Sequence, residues 1–430
     1  MTMHADKEQE KSINSRSRGY GYTQKDLENV ATGACFLGSG GGGTLESAMN
    51  LVRNFKAGAY YPKDIVESEN IEAVRDGYTI SVAYIGAPAE INGTVLPEGP
   101  VKAAMQVKKR LEKEGKRLKY IVPVEAGALS VTVACLVAAR LGIQVLDADG
   151  AGRSVPSLPV LPLSHSPGLS PSPAIVVNQN TGLCVAMDME FLPDSGISDQ
   201  NRLLNALDRI LRGVISDSEF NQYGGFSLWL MEPDQLQKAN LVRNTLWNAR
   251  EIGEAINTVS GSAELITLLN EKKLIPHSGF GPGYVNHVWR LFGPGTLEVP
   301  GDDTHSGEGG FDKGKILVRA PNEVCTVLYQ NESLAAYMGG EKTLANAPDS
   351  IAYFLEDATP GEQRVFSNGD LLTTDGKLLP QLQGKKFTLI GISGDRLLWD
   401  NQYIVKNFAA LIKDLGYNGT LAQRHNGIIA

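Results

Sequence analysis

The segment from residue 79 to residue 153 decides the fold, and it begins with Thr79-Ile80-Ser81-Val82-Ala83-Tyr84-Ile85. This run is rich in β-branched residues and ends at a Gly-Ala-Pro turn, which predicts a strand. Further strands are predicted at 118–124 and 143–146, with helices at 100–114 and 130–141 between the strands. Strands that alternate with helices of this length form βαβ units and a parallel sheet. The pattern therefore predicts an N-terminal α/β domain with a parallel sheet.

Acidic residues follow two successive strands of this predicted sheet. Glu125 comes after the second strand, and Asp147 and Asp149 come after the third. Ligands of open α/β sheets bind outside the carboxyl ends of the strands. We therefore predict Glu125 or Asp149 as a catalytic base, each tuning the pKa of the other. Asp147 is a further catalytic candidate, with a turn-forming aspartate as the alternative.

Arg153 lies four residues after Asp149 and is the positively charged residue that we predict in the catalytic site. Its guanidinium could hold a substrate carboxylate or carbonyl by a forked contact. The alternative is a structural salt bridge to Asp147 or Asp149. Both alternatives place the arginine at the carboxyl edge of the sheet.

A glycine-rich loop, Leu37-Gly38-Ser39-Gly40-Gly41-Gly42-Gly43-Thr44-Leu45-Glu46, lies between two predicted helices. The first helix, at 23–36, opens with a capping box formed by Thr23 and Asp26, and the second opens at Thr44, a good N-cap. Backbone N–H groups before a helix N-terminus suit an anion or a polarised oxygen. We predict that substrate binds at Gly40, Gly41, Gly42, Gly43 and Thr44. The alternative is a tight helix-to-helix turn, since the spacing is neither a Walker A loop nor a Rossmann fingerprint.

The metal and histidine candidates are weaker. His165 lies in a proline-rich segment, so it is either a substrate-binding or a packing residue. Asp149, Glu125 and His165 could bind a divalent ion in a metal-assisted mechanism. The chain has no HxxxH or CxxC spacing to support this, so we assign no metal ligand and leave the cofactor unknown. The acidic stretch 302–308 is interpreted as part of a long solvated surface loop at 279–310.

The amino-acid composition limits the class of protein to which the chain can belong. The 430 residues are 42% hydrophobic and 20% charged, which suits a globular protein of two domains. A net charge of −8 argues against a nucleic-acid partner. No signal peptide or membrane span is visible, so a cytoplasmic protein with no membrane partner is predicted. The four cysteines are interpreted as buried, reduced thiols, with Cys35 as an outside candidate nucleophile.

We divide the chain into a disordered tail at 1–22, the α/β domain at 23–193, and a C-terminal domain at 194–430. The second domain is predicted to be mixed α+β and rich in β-structure. Its predicted helices cover 198–211, 233–256, 263–271 and 407–415. A hairpin is predicted just before the division, at 174–177 and 183–187.

Several of these motifs together resemble the family once called DUF917, which is S-methyl thiohydantoin desulfurase-like and associated with hydantoinase/oxoprolinase proteins. The residues that carry the resemblance are the glycine-rich loop, Gly86-Ala87-Pro88, Val122-Pro123-Val124-Glu125-Ala126-Gly127, Asp147-Ala148-Asp149-Gly150-Ala151-Gly152-Arg153, Pro156 and Gln330-Asn331-Glu332. The resemblance implies a cleft between the two domains, where Asn331 is a substrate-binding candidate. This chain departs from the family in two places: Ser157 stands where a glutamate is usual, and the segment at 293–308 is longer.

The resemblance implies a hydrolase that removes a sulfur substituent from a small cyclic thiohydantoin-like ring with water. Such a reaction needs an activated water, a proton donor and charge stabilisation. Two other classes stay open at this point. One is a nucleotide-dependent enzyme or subunit, and the other is a non-catalytic partner of a hydantoinase/oxoprolinase-type enzyme. A homo-oligomer is also open.

Overall fold

The computed structural model of the protein describes residues 20–57, 66–86, 91, 97–191, 199–278, 286–300, 305–308, 311–339, 342–422, 424–425 and 428–429. Most of the predicted tail lies outside these residues. At its end, Gly21–Tyr22 form a strand and Tyr22 is fully buried, so the prediction of disorder is wrong there. Within the described part of the chain, none of the helices is long and apolar enough to cross a membrane.

Eight strands form the first sheet, in the order β1-β2-β5-β4-β3-β9-β7-β8. Their bounds are β1 (Gly21–Tyr22), β2 (Val66–Glu69), β3 (Tyr78–Gly86), β4 (Leu118–Pro123), β5 (Gln144–Leu146), β7 (Ala174–Val177), β8 (Cys184–Met187) and β9 (Tyr223–Met231). Strands β2, β5, β4 and β3 are parallel, whereas β9, β7 and β8 add an antiparallel side. The predicted parallel sheet and the predicted hairpin are therefore confirmed.

The helices around this sheet are α1 (Gln24–Leu37), α2 (Leu45–Ala57), α3 (Glu98–Lys113), α4 (Ala128–Leu141), α5 (Gln200–Ser216), α6 (Pro233–Lys238), α7 (Thr245–Thr258) and α8 (Ser262–Lys272). The predicted capping box of α1 is present, with Thr23 and Asp26 bonded to each other's backbone N–H. Helix α4 is buried from Ala128 to Ala139, as expected for a helix that is apolar on all sides. It therefore lies in the middle of the core.

Nine strands form a second, antiparallel sheet, in the order β16-β15-β14-β13-β11-β19-β17-β18, with β12 paired to β13. Their bounds are β11 (Val288–Glu298), β12 (His305–Glu308), β13 (Phe311–Arg319), β14 (Val324–Gln330), β15 (Glu332–Met338), β16 (Lys342–Asn346), β17 (Ser350–Leu355), β18 (Val365–Phe366) and β19 (Lys386–Ile392). The helices of this part are α9 (Asn368–Leu371), α10 (Arg396–Trp399) and α11 (Gln402–Asp414). The predicted β-rich second part is confirmed.

Two predictions of local structure are wrong. The helix predicted at 233–256 is divided into α6 and α7 by strand β10 (Val242–Arg243), which pairs with β6 (Ala148–Asp149). This tertiary pairing overrides the helical spacing of the apolar residues. The long loop predicted at 279–310 contains strands β11 and β12, while residues 279–285, 301–304 and 309–310 lie outside the described residues.

Strand β9 was not predicted, although it lies between β3 and β7 in the first sheet. Two adjacent glycines, Gly224 and Gly225, interrupt the run of β-branched and aromatic residues by which a strand is usually predicted. A Cβ added to Gly225 would lie 2.0 Å from the carbonyl carbon of Gly99, so only glycine fits under the start of α3. The first sheet thus continues past the predicted division at residue 194.

Candidate functional site

A cavity of about 130 Å³ lies where the carboxyl ends of β3 and β4 approach the β14–β15 hairpin of the second sheet. Its polar wall includes Gly42, Glu125, Ser130, Asn331 and Glu332, and its apolar wall includes Ile85, Ile91, Leu129, Leu161 and Phe226. Glu125 and Gly42, which the sequence predicted to share one site, do line the same cavity. Both halves of the chain contribute to it.

Glu125 follows β4 and is held by the loop that follows Arg153. One carboxylate oxygen accepts a hydrogen bond from the Val155 N–H at 2.8 Å, and the other accepts one from the Ser130 hydroxyl at 3.1 Å. Burial raises the pKa of Glu125 to about 7, against the lowering effect of these two hydrogen bonds. A carboxyl group with a pKa near neutrality can both accept and donate a proton at physiological pH.

Glu332 also lines the cavity, although the motif Gln330-Asn331-Glu332 by itself does not predict it as a site residue. It begins β15 directly after Asn331, whose positive φ of 56° makes the tight hairpin turn. Its side chain is 3% exposed, and its Oε2 atom has no hydrogen-bond partner among the described residues. Burial, and then the charge of Glu125, raise the pKa of Glu332 well above its ordinary value. A neutral, protonated Glu332 is the expected state beside an ionised Glu125.

The glycine-rich loop is wedged between the two halves of the chain. The Ser39 carbonyl accepts from the Ser333 N–H at 2.6 Å, and the Gly40 carbonyl accepts from the Asn368 N–H at 2.7 Å. A Cβ added to Gly41 would lie 2.3 Å from Oε1 of Glu332. The glycines therefore let the loop backbone pack directly against Glu332, and Gly42 and Gly43 continue into the cavity wall.

The helix N-terminus that was predicted to receive a substrate anion is occupied by a side chain of the protein. Asp370 of α9 accepts hydrogen bonds from the Leu45 N–H at 2.9 Å and the Glu46 N–H at 3.2 Å. Thr44 caps the same turn by accepting from the Ser47 N–H at 3.1 Å, and it is buried. Neither Thr44 nor Gly40 lines the cavity, although Gly40 lies in the same loop.

Asp149 is fully buried and does not line the cavity. One oxygen accepts from the N–H groups of Ala151 and Gly152 at 2.8 and 2.6 Å, and the other accepts from the Thr245 hydroxyl at 2.5 Å. Burial raises its pKa to about 6, while these bonds act in the opposite direction. These contacts engage both carboxylate oxygens of Asp149 within the protein. A direct catalytic role of Asp149 therefore stays a prediction, and the contacts do not favour it.

Asp147 caps helix α7, accepting from the Leu246 and Trp247 N–H groups at 2.8 and 3.3 Å. It does not line the cavity. This is the turn-forming role that the sequence left open as the alternative. The aspartate thus anchors the strand-end block to the start of α7.

Arg153 is fully buried and joins the two halves of the chain. Its guanidinium donates to the carbonyl oxygens of Ser154, Asp349 and Ser333 at 2.8, 2.6 and 3.3 Å, and also to that of Pro348. Burial lowers its pKa to about 10. The salt bridge to Asp147 or Asp149 that was considered as the alternative is not among these contacts. The forked contact exists, but its acceptors are backbone carbonyls of the protein rather than a substrate.

The other predicted residues divide between the cavity and distant positions. Asn331 lines the cavity, and its Oδ1 accepts from the Asp312 N–H at 2.8 Å. His165 lies in a different hollow beside Tyr403, with its Nε2 atom 2.8 Å from the Pro159 carbonyl oxygen. Cys35 is buried and burial raises the pKa of its thiol, which argues against a nucleophile. Cys184 is exposed, so the prediction of a buried thiol is wrong for that residue.

An ion pair forms part of the cavity wall near Pro156 and Ser157. Arg212 Nε donates to Asp208 at 2.8 Å, and its Nη2 donates to the Pro156 carbonyl at 2.9 Å. Ser157, where the resemblance expects a glutamate, also lines the cavity. Within the described residues, no three histidine, cysteine or acidic side chains are grouped as a metal site would require.

Comparisons with known proteins cover most of the chain. Residues 25–188 match the S-Me-THD-like N-terminal domain, and residues 202–373 match the S-Me-THD-like C-terminal domain. An X-ray crystal structure of a protein from Chromobacterium violaceum, determined by a structural genomics consortium, shares 38% sequence identity with this chain. That match covers 94% of this chain and 99% of the other, with a TM-score of 0.81. No curated protein matches the chain. The two matched domains together span more than half of the sequence, so the chain belongs to the S-Me-THD-like family.

Proposed function

We propose that the protein is a hydrolase that uses water to cleave a carbon–sulfur or carbon–nitrogen bond of a small cyclic amide or thiohydantoin-like ring. Membership of the S-Me-THD-like family supports a desulfurase- or hydrolase-like role. The observation that carries the proposal is the pair Glu125 and Glu332, one from each half of the chain, on the wall of one cavity. Pairs of carboxyl groups with separated pKa values are the usual means of acid–base catalysis at neutral pH.

The size of the cavity supports a ring-shaped substrate. Its volume is about 130 Å³, and a protein cavity of roughly 150 Å³ accommodates benzene. A five-membered ring with a short substituent is therefore of suitable size. The apolar wall formed by Ile85, Leu129 and Phe226 would cover the faces of such a ring, as in most small-molecule sites.

The two carboxyl groups can perform the hydrolysis without any other proton carrier. For an S-methylated ring, ionised Glu125 takes a proton from water as the water oxygen bonds to the ring carbon. Protonated Glu332 gives its proton to the adjacent ring nitrogen, which produces a neutral tetrahedral intermediate. The carbon–sulfur bond then breaks, and methanethiol leaves with the proton held by Glu125. The remaining hydroxyl proton returns to Glu332 as the ring carbonyl forms.

In this proposal Asp149 and Arg153 are positioning residues. Asp149 fixes the turn at 149–152. Arg153 and Ser154 follow that turn, and the Ser154 hydroxyl donates to the Ala126 carbonyl at 2.8 Å. The N–H of Val155 then bonds Glu125. Changes at Asp149 are thus expected to reach the reaction through the orientation of Glu125.

The test is release of methanethiol from an S-methyl thiohydantoin, followed with a thiol-reactive dye. Glu125→Gln and Glu332→Gln should each lower kcat by about 10²- to 10⁴-fold, the usual contribution of a general acid or base. Exposed Glu254→Gln is the matched control and should keep wild-type turnover. Hydantoins and lactams, assayed by product chromatography, test carbon–nitrogen cleavage.

Wild-type turnover in both cavity variants would contradict the acid–base assignment. Failure of the wild-type protein to cleave any ring would refute the proposed function. Co-purification with a hydantoinase-type enzyme would then favour the non-catalytic alternative, and stabilisation by ATP with magnesium would favour the nucleotide-dependent one.

A further inference from the structure

The charges of the cavity wall are unbalanced toward the negative. Among the described residues that line it, the acidic side chains are Glu125, Glu332 and Asp208, and the basic side chain is Arg212. Arg212 Nε lies 2.8 Å from Asp208, so these two opposite charges compensate each other within the wall. The two glutamates are left as the acidic groups that a ligand would meet, and Glu125 carries the charge above pH 7.

The hydrogen-bonding groups near the cavity also favour a ligand that donates. Oε2 of Glu332 is a buried oxygen without a hydrogen-bond partner among the described residues, and it becomes an acceptor when a ligand cation causes the carboxyl group to ionise. The Gly42 carbonyl accepts from the Leu129 and Ser130 N–H groups at the start of α4, and Asp370 takes the N–H groups at the start of α2. These N–H groups at the starts of α2 and α4, which would otherwise suit an anion, are therefore engaged within the protein.

We propose that this cavity recognises its ring as a cation, protonated on an amidine-type nitrogen, and rejects rings that carry a carboxylate or phosphate. This inference rests on the proposed function and specifies its substrate class. Glu332 holds a proton in the free cavity, and a ligand cation that donates a hydrogen bond to its unpartnered Oε2 favours release of that proton and formation of a charge-assisted pair. A negative ligand would meet charge repulsion from ionised Glu125. A cationic ring beside ionised Glu332 carries the same protons as a neutral ring beside protonated Glu332, so the water addition of the proposed reaction is open to both.

Three inert probes of similar size separate these possibilities by calorimetric titration in the presence of EDTA. The cation is 2-amino-2-imidazoline, the neutral isostere is imidazolidin-2-one, and the anion is 2-oxoimidazolidine-4-carboxylate. At pH 8 we expect the cation to bind at least tenfold more tightly than the neutral ring, and the anion to give no measurable heat. The preference should shrink as the pH is lowered to 5, because Glu125 is then protonated and release of the Glu332 proton on binding is opposed.

Glu332→Gln should abolish the preference for the cation, whereas exposed Glu254→Gln should retain it. Thermal melts of both variants establish that they are folded, and the wild-type series decides the question even if Glu332→Gln does not fold. Equal or tighter binding of the neutral ring at pH 8, or binding of the anion, would overturn the inference. Because the probes are not hydrolysed, a cation preference without turnover would refute only the proposed function. Turnover without the preference would refute only this inference.

Discussion

Glu125→Gln should make the protein more stable at neutral pH while removing its activity. The ordinary pKa of a glutamate is 4.5, and burial raises that of Glu125 to about 7 in the folded protein. Between these two values the unfolded chain has lost the proton and the folded protein still holds it. The stability that protonated Glu125 contributes is therefore fully present below pH 4.5, decreases as the pH rises toward 7, and does not change further above pH 7.

The size of this loss follows from the same two values. Each pKa unit corresponds to about 1.4 kcal/mol, so the difference between 4.5 and 7 corresponds to about 3 kcal/mol of unfolding free energy. Glutamine cannot titrate and keeps the shape of the side chain. Its carbonyl can accept from the Val155 N–H, and its amide can donate to the Ser130 hydroxyl. The substitution also removes the charge that raises the pKa of Glu332, which acts in the same direction.

The assay is urea unfolding of both proteins at pH 4.5, 6 and 7.5. The variant should gain about 3 kcal/mol relative to wild type between the lowest and highest pH, with most of the gain below pH 7. Exposed Glu254→Gln serves as the control for the substitution itself. A difference between Glu125→Gln and wild type that is independent of pH would refute the reasoning, because it would mean that Glu125 titrates like an exposed glutamate.

Three further predictions test the parts around the cavity. Asp370→Asn should destabilise the protein by about 1–3 kcal/mol in urea unfolding, because asparagine has a single acceptor oxygen and either the Leu45 or the Glu46 N–H then faces its NH₂ group. Arg153→Met should cost about 1–3 kcal/mol for each buried carbonyl left without its donor, including those of Pro348 and Asp349; an unchanged melting temperature would show that the arginine does not join the two halves. Gly41→Ala should lower kcat/KM at least tenfold, because the new methyl group would lie 2.3 Å from Oε1 and 2.4 Å from Cγ of Glu332 and would displace that buried side chain; unchanged kcat/KM would show that the position of Glu332 is unimportant.

The local parts of the fold could be predicted because their signals are local. The capping box of α1 needs only Thr23 and Asp26, three positions apart. The position of Glu125 at the carboxyl edge of the sheet follows from the order of strands and helices between residues 79 and 146. These inferences required no knowledge of which distant segments meet.

The partner of Glu125 could not be predicted, because it depends on contact between the two sheets. Glu332 was visible in the motif Gln330-Asn331-Glu332, but nothing in its spacing points to Glu125. The occupant of the α2 N-terminus is hidden in the same way, since Asp370 lies 325 positions from Leu45. No local sequence pattern identifies Glu332 or Asp370, because the contacts of both depend on segments that are distant in the sequence.

The ambiguity of Asp149 has a different cause. A strand-end aspartate followed by glycines suits both a catalytic carboxylate and a turn that satisfies its own backbone. The choice depends on Thr245, which is 96 positions away and closes the remaining oxygen of the carboxylate. The same sequence pattern is therefore compatible with opposite exposures of the side chain.

The position of β9 in the first sheet determines what happens when the protein is cut into two fragments. Removing everything after residue 194 would take out the strand that bridges β3 and β7, so the hairpin of β7 and β8 would lose its attachment. The exposed border of β3 would then be an unprotected template for self-association. We expect that neither fragment folds by itself. The two fragments expressed together should reassemble, with β9 of the second fragment pairing with β3 and β7 of the first.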